Sequence, residues 1–195
     1  MLAAISILWT GSRALRLFPA FSGLLEAHLR LAACHGDTKK VKQLLRFGVN
    51  VNARGEEGNS ALMDVEHCKG DSDPSRVELV ELLITNGAAV NLQSGDGSTA
   101  LMYAARNGDT QAVNVLLRNG ALVNLADKEG ETALMKAAAS SCNEETVRAL
   151  LSAGADLNAR DHKGRNALDS FRSSYACPES KVGDLLQTAG NEKGR

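Results

Sequence analysis

The chain alternates short apolar runs with polar, glycine-containing segments, and this alternation repeats along its length. Four five-residue segments superimpose: Asn59–Met63, Ser98–Met102, Glu131–Met135 and Arg165–Asp169. The steps between them are 39, 33 and 34 residues. A fixed step of this size is typical of repeat proteins, in which each unit buries its apolar face against the next.

Each repeat predicts two short helices followed by a polar tip. In the third repeat Thr99 is a predicted N-cap, because its side-chain oxygen can accept from a free helical N–H. A helix over 100–105 follows, Gly108 ends it, and 111–119 carries apolar residues at helical spacing. The matching caps in the other repeats are Ser60, Thr132 and Asn166.

Two further markers keep the same step. Four glycines each follow a Leu- or Ile-rich stretch and are predicted to end the second helix in the left-handed conformation: Gly48, Gly87, Gly120 and Gly154. Four residues after each glycine stands an asparagine: Asn52, Asn91, Asn124 and Asn158. We expect these asparagine side chains to bond the backbone of a turn.

This pattern resembles the ankyrin repeat. The stretch 127–159 matches it most fully, with Thr132-Ala133-Leu134-Met135 where the family has Thr-Pro-Leu-His. The resemblance implies an all-α ankyrin-repeat solenoid of stacked helix-turn-helix units with short β-hairpin or loop tips. It also implies that a repeat asparagine such as Asn158 can be hydroxylated.

Five units are predicted. The expected organisation is an N-terminal segment (1–23), a repeat domain (24–190) with units at about 24–54, 55–93, 94–126, 127–160 and 161–190, and a tail (191–195). The second unit is longer than the others by an insertion near 68–76, which contains Gly70 and Pro74. We expect this insertion to form a surface loop between the two helices of its unit.

The first 25 residues leave two alternatives open. Residues 2–9 are apolar, Arg13 and Arg16 follow, and the first acidic residue is Glu26. One interpretation is a helix that covers the end of the first repeat, in a cytoplasmic or nuclear protein. The alternative is a mitochondrial presequence, which is also rich in Arg and poor in acids.

Composition excludes several classes of protein and chemistry. The chain has 22 basic and 23 acidic side chains, which gives no general excess of positive charge for nucleic acid. Four cysteines occur without a CxxC pair, and we expect isolated, reduced thiols. The four histidines form no HxxxH pair, and we find no nucleophile–base pair. We therefore expect no enzymatic activity, no cofactor and no metal.

The predicted function is that of a monomeric scaffold or adaptor that binds another protein. The resemblance implies that a partner lies on the concave face, which tips and inner helices form. Tyr103 and Arg106 are the central candidates, because Tyr and Arg are enriched among residues that dominate binding energy. The alternative for Tyr103 is that it packs between inner helices. By register, the exposed candidates are Glu56, Glu57, Asn59, His67, Asp96, Ser98, Tyr103, Arg106, Asn107, Lys128, Glu129, Glu131, Lys136, His162, Lys163 and Arg165. The alternative is an imported mitochondrial repeat protein with an organellar partner.

Overall fold

A computed structural model describes residues 19–68, 74–141, 143–174 and 181–192. Within these ranges the chain forms ten helices. They are α1 (Pro19–Cys34), α2 (Thr38–Arg46), α3 (Ala61–His67), α4 (Pro74–Thr85), α5 (Ala100–Asn107), α6 (Thr110–Arg118), α7 (Ala133–Ser140), α8 (Glu144–Ser152), α9 (Ala167–Arg172) and α10 (Val182–Glu192). We number the successive pairs unit 1 to unit 5.

The helices stack in two layers. The first helix of each unit packs on the first helix of the next, so that α1, α3, α5, α7 and α9 form an inner layer. The second helices, α2, α4, α6, α8 and α10, form the outer layer. The predicted all-α solenoid is confirmed. The tips are turns, with one antiparallel bridge between Ala126 and Thr132 and no strand in the described ranges.

One hydrophobic core runs through the stack. Leu62, Leu101 and Leu134 hold the same place in successive inner helices, and each is 1% exposed. Small residues on the same helices let neighbouring helices approach closely, as Ala104 and Ala137 do at 0% exposure. Each unit therefore contributes a thin apolar layer that only its neighbours can bury, at about 1.5–3 kcal/mol for each buried leucine.

Polar side chains begin the inner helices as predicted, with one exception. Thr99 and Thr132 accept from the backbone N–H three residues on, and Asn166 forms a reciprocal capping box with Asp169. Ser60 makes no side-chain capping bond at the start of α3. The N-terminus of α3 therefore lacks a stabilising contact that α5, α7 and α9 have.

Replacing the cap at Asn166 should cost stability, whereas the same change at Ser60 should not. The Asn166→Ala variant loses the bond from the Asp169 N–H to Asn166 Oδ1, which measures 2.9 Å. We expect a loss of about 1 kcal/mol in the free energy of unfolding. Ser60→Ala should stay within about 0.5 kcal/mol of wild type. Urea denaturation of both variants tests this difference, and equal losses would contradict it.

The glycines after the outer helices adopt the predicted conformation. Gly120 has a φ of 84°, a region that costs a residue with a Cβ but not glycine. The N–H of Ala121 then reaches back to the Leu116 carbonyl at 3.0 Å, which satisfies one of the last free carbonyls of α6. The chain turns from the outer helix toward the next tip at this point.

The N-terminal prediction lies mostly outside the described residues. Helix α1 begins at Pro19, inside the segment that the sequence placed before the first repeat. Residues 1–18, which carry the capping-helix and presequence alternatives, are not described. Residues 69–73 of the insertion are likewise outside the described ranges.

The prediction of isolated, reduced cysteines is wrong for two of the four. Cys34 and Cys68 form a disulfide, with their Cα atoms 5.2 Å apart. Cys34 ends α1, and Cys68 follows α3 directly. Their separation of 34 residues is one repeat step, and stacking the two units brings them together. The other two, Cys142 and Cys177, lie outside the described residues.

The tip face as a candidate partner-binding site

The tips join into one surface through backbone hydrogen bonds between units. The N–H of Gly95 donates to the Glu57 carbonyl at 2.7 Å, and the N–H of Lys128 donates to the Asp96 carbonyl at 2.9 Å. The N–H of His162 donates to the Glu129 carbonyl at 2.9 Å, which continues the series. We call the surface formed by these tips and by the neighbouring sides of the inner helices the tip face. It corresponds to the concave face that the resemblance implies.

Asparagine side chains fix each tip to the next unit. Asn91 Nδ2 donates to the Gly120 carbonyl at 2.9 Å, and Asn91 Oδ1 accepts from the Leu122 N–H at 2.8 Å. Asn52 and Asn124 make the same pair of bonds one unit earlier and one unit later. These three asparagines bond turn backbone as predicted, but the turn belongs to the following unit. We call each such pair of bonds an asparagine clamp.

Asn158 holds the same position without making a clamp. Its N–H donates to Asp156 Oδ1 at 2.9 Å, and its side chain makes no hydrogen bond within the described ranges. Helix α10 continues to Glu192, so no glycine turn stands where the clamp would bind. Hydroxylation of Asn158 stays a prediction.

The structure divides the sixteen predicted partner-binding residues by exposure. Eight are exposed: Glu56, Glu57, His67, Asp96, Lys128, Glu129, His162 and Lys163. Five are half-buried: Arg106, Asn107, Glu131, Lys136 and Arg165. The prediction of exposure is wrong for Asn59, Ser98 and Tyr103, which are 4%, 4% and 6% exposed. Asn59 and Ser98 precede the inner helices, where the chain turns inward to begin the next helix.

Tyr103 packs between inner helices and organises its neighbours. The His67 ring meets it edge-on, with ring centroids 5.1 Å apart. The Arg106 guanidinium lies over the Tyr103 ring, 5.2 Å from its centroid. Burial raises the pKa of the Tyr103 hydroxyl, and a hydrogen bond with Ser94 opposes that rise. Tyr103 therefore packs against His67 and Arg106, and little of its own surface is accessible to a partner.

Arg106 is stacked on this ring but has no polar partner. Within the described residues its guanidinium makes no hydrogen bond and no ion pair. A guanidinium that stacks on an aromatic face keeps the N–H groups at its edge available. The stacking limits the side chain's freedom, so less entropy is lost when those N–H groups bind an anion.

Charged side chains in units 4 and 5 form a network among themselves. The Lys136 amine forms ion pairs with Asp127, at 2.7 Å, and with Glu131. The Arg165 guanidinium forms ion pairs with Glu131, at 3.3 Å, and with Asp161, at 2.7 Å. Burial disfavours the charged amine of Lys136, but its hydrogen bonds to Asp127 and Glu131 outweigh burial and raise its pKa. The Arg165–Glu131 pair thus links the two units, whereas the pairs of Lys136 lie within unit 4.

The exposed charges of the tip face change sign along the stack. Glu56 and Glu57 lie at the tip of unit 2, and neither forms an ion pair in the described ranges. His162 and Lys163 lie at the tip of unit 5. The face is acidic at one end and basic at the other, which can orient a partner of complementary charge.

The sequence prediction missed a buried acid beside this face. Glu66 in α3 is 0% exposed, and neither of its carboxylate oxygens has a hydrogen-bond partner in the described residues. Burial raises the pKa of Glu66 to about 7; nearby Asp109 adds to the rise and Arg76 opposes it. Aligning the repeats reveals it, because three of the four equivalent positions are alanine: Ala33, Ala105 and Ala138.

The described residues show neither a metal site nor a membrane span. No group of three or more His, Cys, Asp or Glu side chains in these ranges is placed to hold a metal ion. None of the described helices has the length and apolar character needed to cross a membrane.

Comparison with known proteins identifies the repeats. Residues 68–161 match the family model for ankyrin repeats in three copies. The chain is also 36% identical over 142 residues to the mouse protein named inactive serine/threonine-protein kinase TEX14. That match covers 73% of this chain and 7% of the relative. With the stacked helix pairs, the glycine turns and the asparagine clamps already described, these matches show that the chain contains ankyrin repeats over residues 68–161.

Proposed function

We propose that the chain is a non-catalytic binding module that holds a partner protein on the tip face and anchors an acidic side chain of that partner at Arg106. Ankyrin repeats are generally protein-interaction modules, which supports the binding role. The observation that carries the anchor is the Arg106 guanidinium, stacked 5.2 Å from the Tyr103 ring centroid and without a polar partner in the described residues.

Arg106 fits a carboxylate for a geometric reason. Its planar group presents parallel N–H donors that match the two oxygens of Asp or Glu, and such paired bonds are stronger than bonds between neutral groups. His67 is exposed and packs on the same Tyr103 ring, so its ring can add a donor to the site. Arginines in such partly buried settings commonly dominate the binding energy of an interface.

The charge pattern of the tips supports a preferred orientation of the partner. Basic side chains of the partner should lie over Glu56 and Glu57, and acidic ones over His162 and Lys163. Because these groups are exposed, their contribution should depend on salt and act mainly on the association rate. The bond between Arg106 and an acidic side chain of the partner should act mainly on the dissociation rate, because Arg106 is half-buried.

Arg106→Gln is expected to reduce partner capture about tenfold or more, since it removes the charge and the paired donors. The measurement is quantitative affinity purification from cells, with the amount of each captured protein compared with that for wild type. Arg106→Lys keeps the charge without the planar fork and should retain part of the capture.

Arg118→Gln is the matched control. Arg118 is an exposed arginine at the end of α6, in the outer layer, away from the tip face. We expect it to capture the same proteins as wild type. If Arg106→Gln and Arg118→Gln captured equal amounts, partner binding at Arg106 would be refuted.

A further inference from the structure

The Cys34–Cys68 disulfide joins the same end of two neighbouring inner helices. Cys34 is the last residue of α1, and Cys68 is the C-cap of α3. Their Cα atoms are 5.2 Å apart, within the range that a disulfide spans without moving the backbone. Both residues are half-buried, so a small thiol or disulfide can approach the sulfur atoms from solvent.

We propose that Cys34 and Cys68 form a reversible redox site, oxidised by a low-molecular-weight disulfide such as glutathione disulfide, and that the cross-link holds α3 in its folded position. The same junction in later units carries other residue types. At the junction of units 3 and 4, for example, Arg106 and Ser140 stand where Cys34 and Cys68 stand at the junction of units 1 and 2. The cross-link is therefore a property of this junction and not of the repeat.

Helix α3 has several features that make it depend on this cross-link. It has seven residues, and its N-cap residue Ser60 makes no side-chain bond. It buries Glu66 without a hydrogen-bond partner in the described residues, where α1, α5 and α7 have alanine. A short helix with an uncapped N-terminus and a buried carboxyl that lacks a partner in the described residues opens locally at lower cost, and a cross-link counters this by restricting the opened state.

The redox step balances with glutathione disulfide as the oxidant. The thiolate of one cysteine attacks the glutathione disulfide, which forms a mixed disulfide and releases one glutathione. The thiolate of the second cysteine then attacks the protein sulfur of that mixed disulfide and releases the second glutathione. Two protein thiols become one disulfide, one glutathione disulfide becomes two thiols, and the protons pass to the released glutathione. Excess glutathione reverses both steps.

Reduction should also reach the tip face, and this consequence rests on the proposed function. His67 directly precedes Cys68, and its ring packs on Tyr103, which supports Arg106. When α3 loosens, the His67 ring moves away from the Tyr103 ring. The binding site at Arg106 then loses one of the side chains that surround it. The redox state of the cysteines would thus regulate partner binding without any change at Arg106 itself.

Hydrogen exchange followed by mass spectrometry tests the redox site without any partner. The protein is equilibrated with glutathione disulfide or with reduced glutathione, and amide exchange is compared between 61–67 in α3 and 133–140 in α7. We expect reduction to speed exchange in α3 about tenfold or more and to leave α7 unchanged. Peptide mapping of the oxidised sample should find the Cys34–Cys68 linkage.

The Cys34→Ser, Cys68→Ser double variant is the control, and we expect it to exchange like the reduced protein under both conditions. Two results would overturn the inference. One is a linkage that joins Cys34 or Cys68 to Cys142 or Cys177, or that leaves only a mixed disulfide with glutathione. The other is identical exchange of α3 in the oxidised and reduced wild type. Neither result bears on Arg106, so the proposed binding function would remain to be judged by its own variants.

Discussion

Glu66→Ala is expected to stabilise the protein above pH 7, although it removes most of a buried side chain. The wild-type carboxyl is 0% exposed and has no hydrogen-bond partner in the described residues. The raised pKa of about 7, compared with 4.5 for an ordinary Glu, corresponds to about 3 kcal/mol of lost stability when the group must ionise. Alanine occupies the equivalent position in three of the other inner helices, α1, α5 and α7, so the backbone of an inner helix accepts it there.

The pH dependence has a definite sign. A carboxyl whose pKa is raised in the folded state binds its proton more tightly there than in the unfolded chain. The contribution of protonated Glu66 to the free energy of unfolding is fully present below about pH 4.5 and is lost as the pH rises through about 7. Asp109 faces Glu66 from the start of α6 and Arg76 faces it from α4, while the Asn107 amide bonds the Glu66 backbone carbonyl.

Urea denaturation of wild type and variant at pH 5, 6 and 8 measures this effect. The difference between Glu66→Ala and wild type should grow in favour of the variant as the pH rises, by about 2–3 kcal/mol between pH 5 and 8. Glu66→Gln, which removes the charge and keeps the volume, should show the same trend with a smaller gain because its amide stays buried. A difference that stays constant with pH would show that Glu66 does not titrate in this window.

Asn91→Ala is expected to destabilise the stack by about 2 kcal/mol, because it removes two hydrogen bonds between units. Both polar atoms of the Asn91 side chain bond the turn that follows α6, at 2.9 Å to the Gly120 carbonyl and 2.8 Å from the Leu122 N–H. The clamp joins units 2 and 3 of the stack. Its loss should weaken the coupling on which a repeat protein depends for cooperative unfolding.

Asn158→Ala is the matched control for this clamp. Asn158 has the same register, and its side chain makes no hydrogen bond in the described ranges, so its loss should stay within about 0.5 kcal/mol. Asn91→Asp keeps an acceptor for the Leu122 N–H but sets a carboxylate oxygen against the Gly120 carbonyl. The free energy of unfolding of Asn91→Asp should therefore lie between those of wild type and Asn91→Ala. Equal losses for Asn91→Ala and Asn158→Ala would mean that the clamp adds nothing to stability.

Register predicted the candidate site only in part. It placed Glu56 and Lys163 at exposed tips, and it found Arg106 beside Tyr103 on the inner helix. It also placed Tyr103 on the exposed side, whereas this ring is 6% exposed. Register gives the side of a helix on which a residue lies. It does not give the neighbouring side chains that cover it, and here His67 and Arg106 do so.

The sequence by itself determined the repeat, the two helices of each unit and the turns between them. These features depend on local chemistry: the apolar spacing of Val113 and Leu116, the cap at Thr99 and the positive φ of Gly120 act within a few residues. Only the tertiary structure decided which atoms meet between units. It paired Asn91 with a turn about one repeat away, Cys34 with Cys68, and it buried Glu66 without a partner. The physical reason is that contacts between stacked helices depend on how far each unit is shifted and rotated on its neighbour, and side-chain packing across the whole interface sets that geometry.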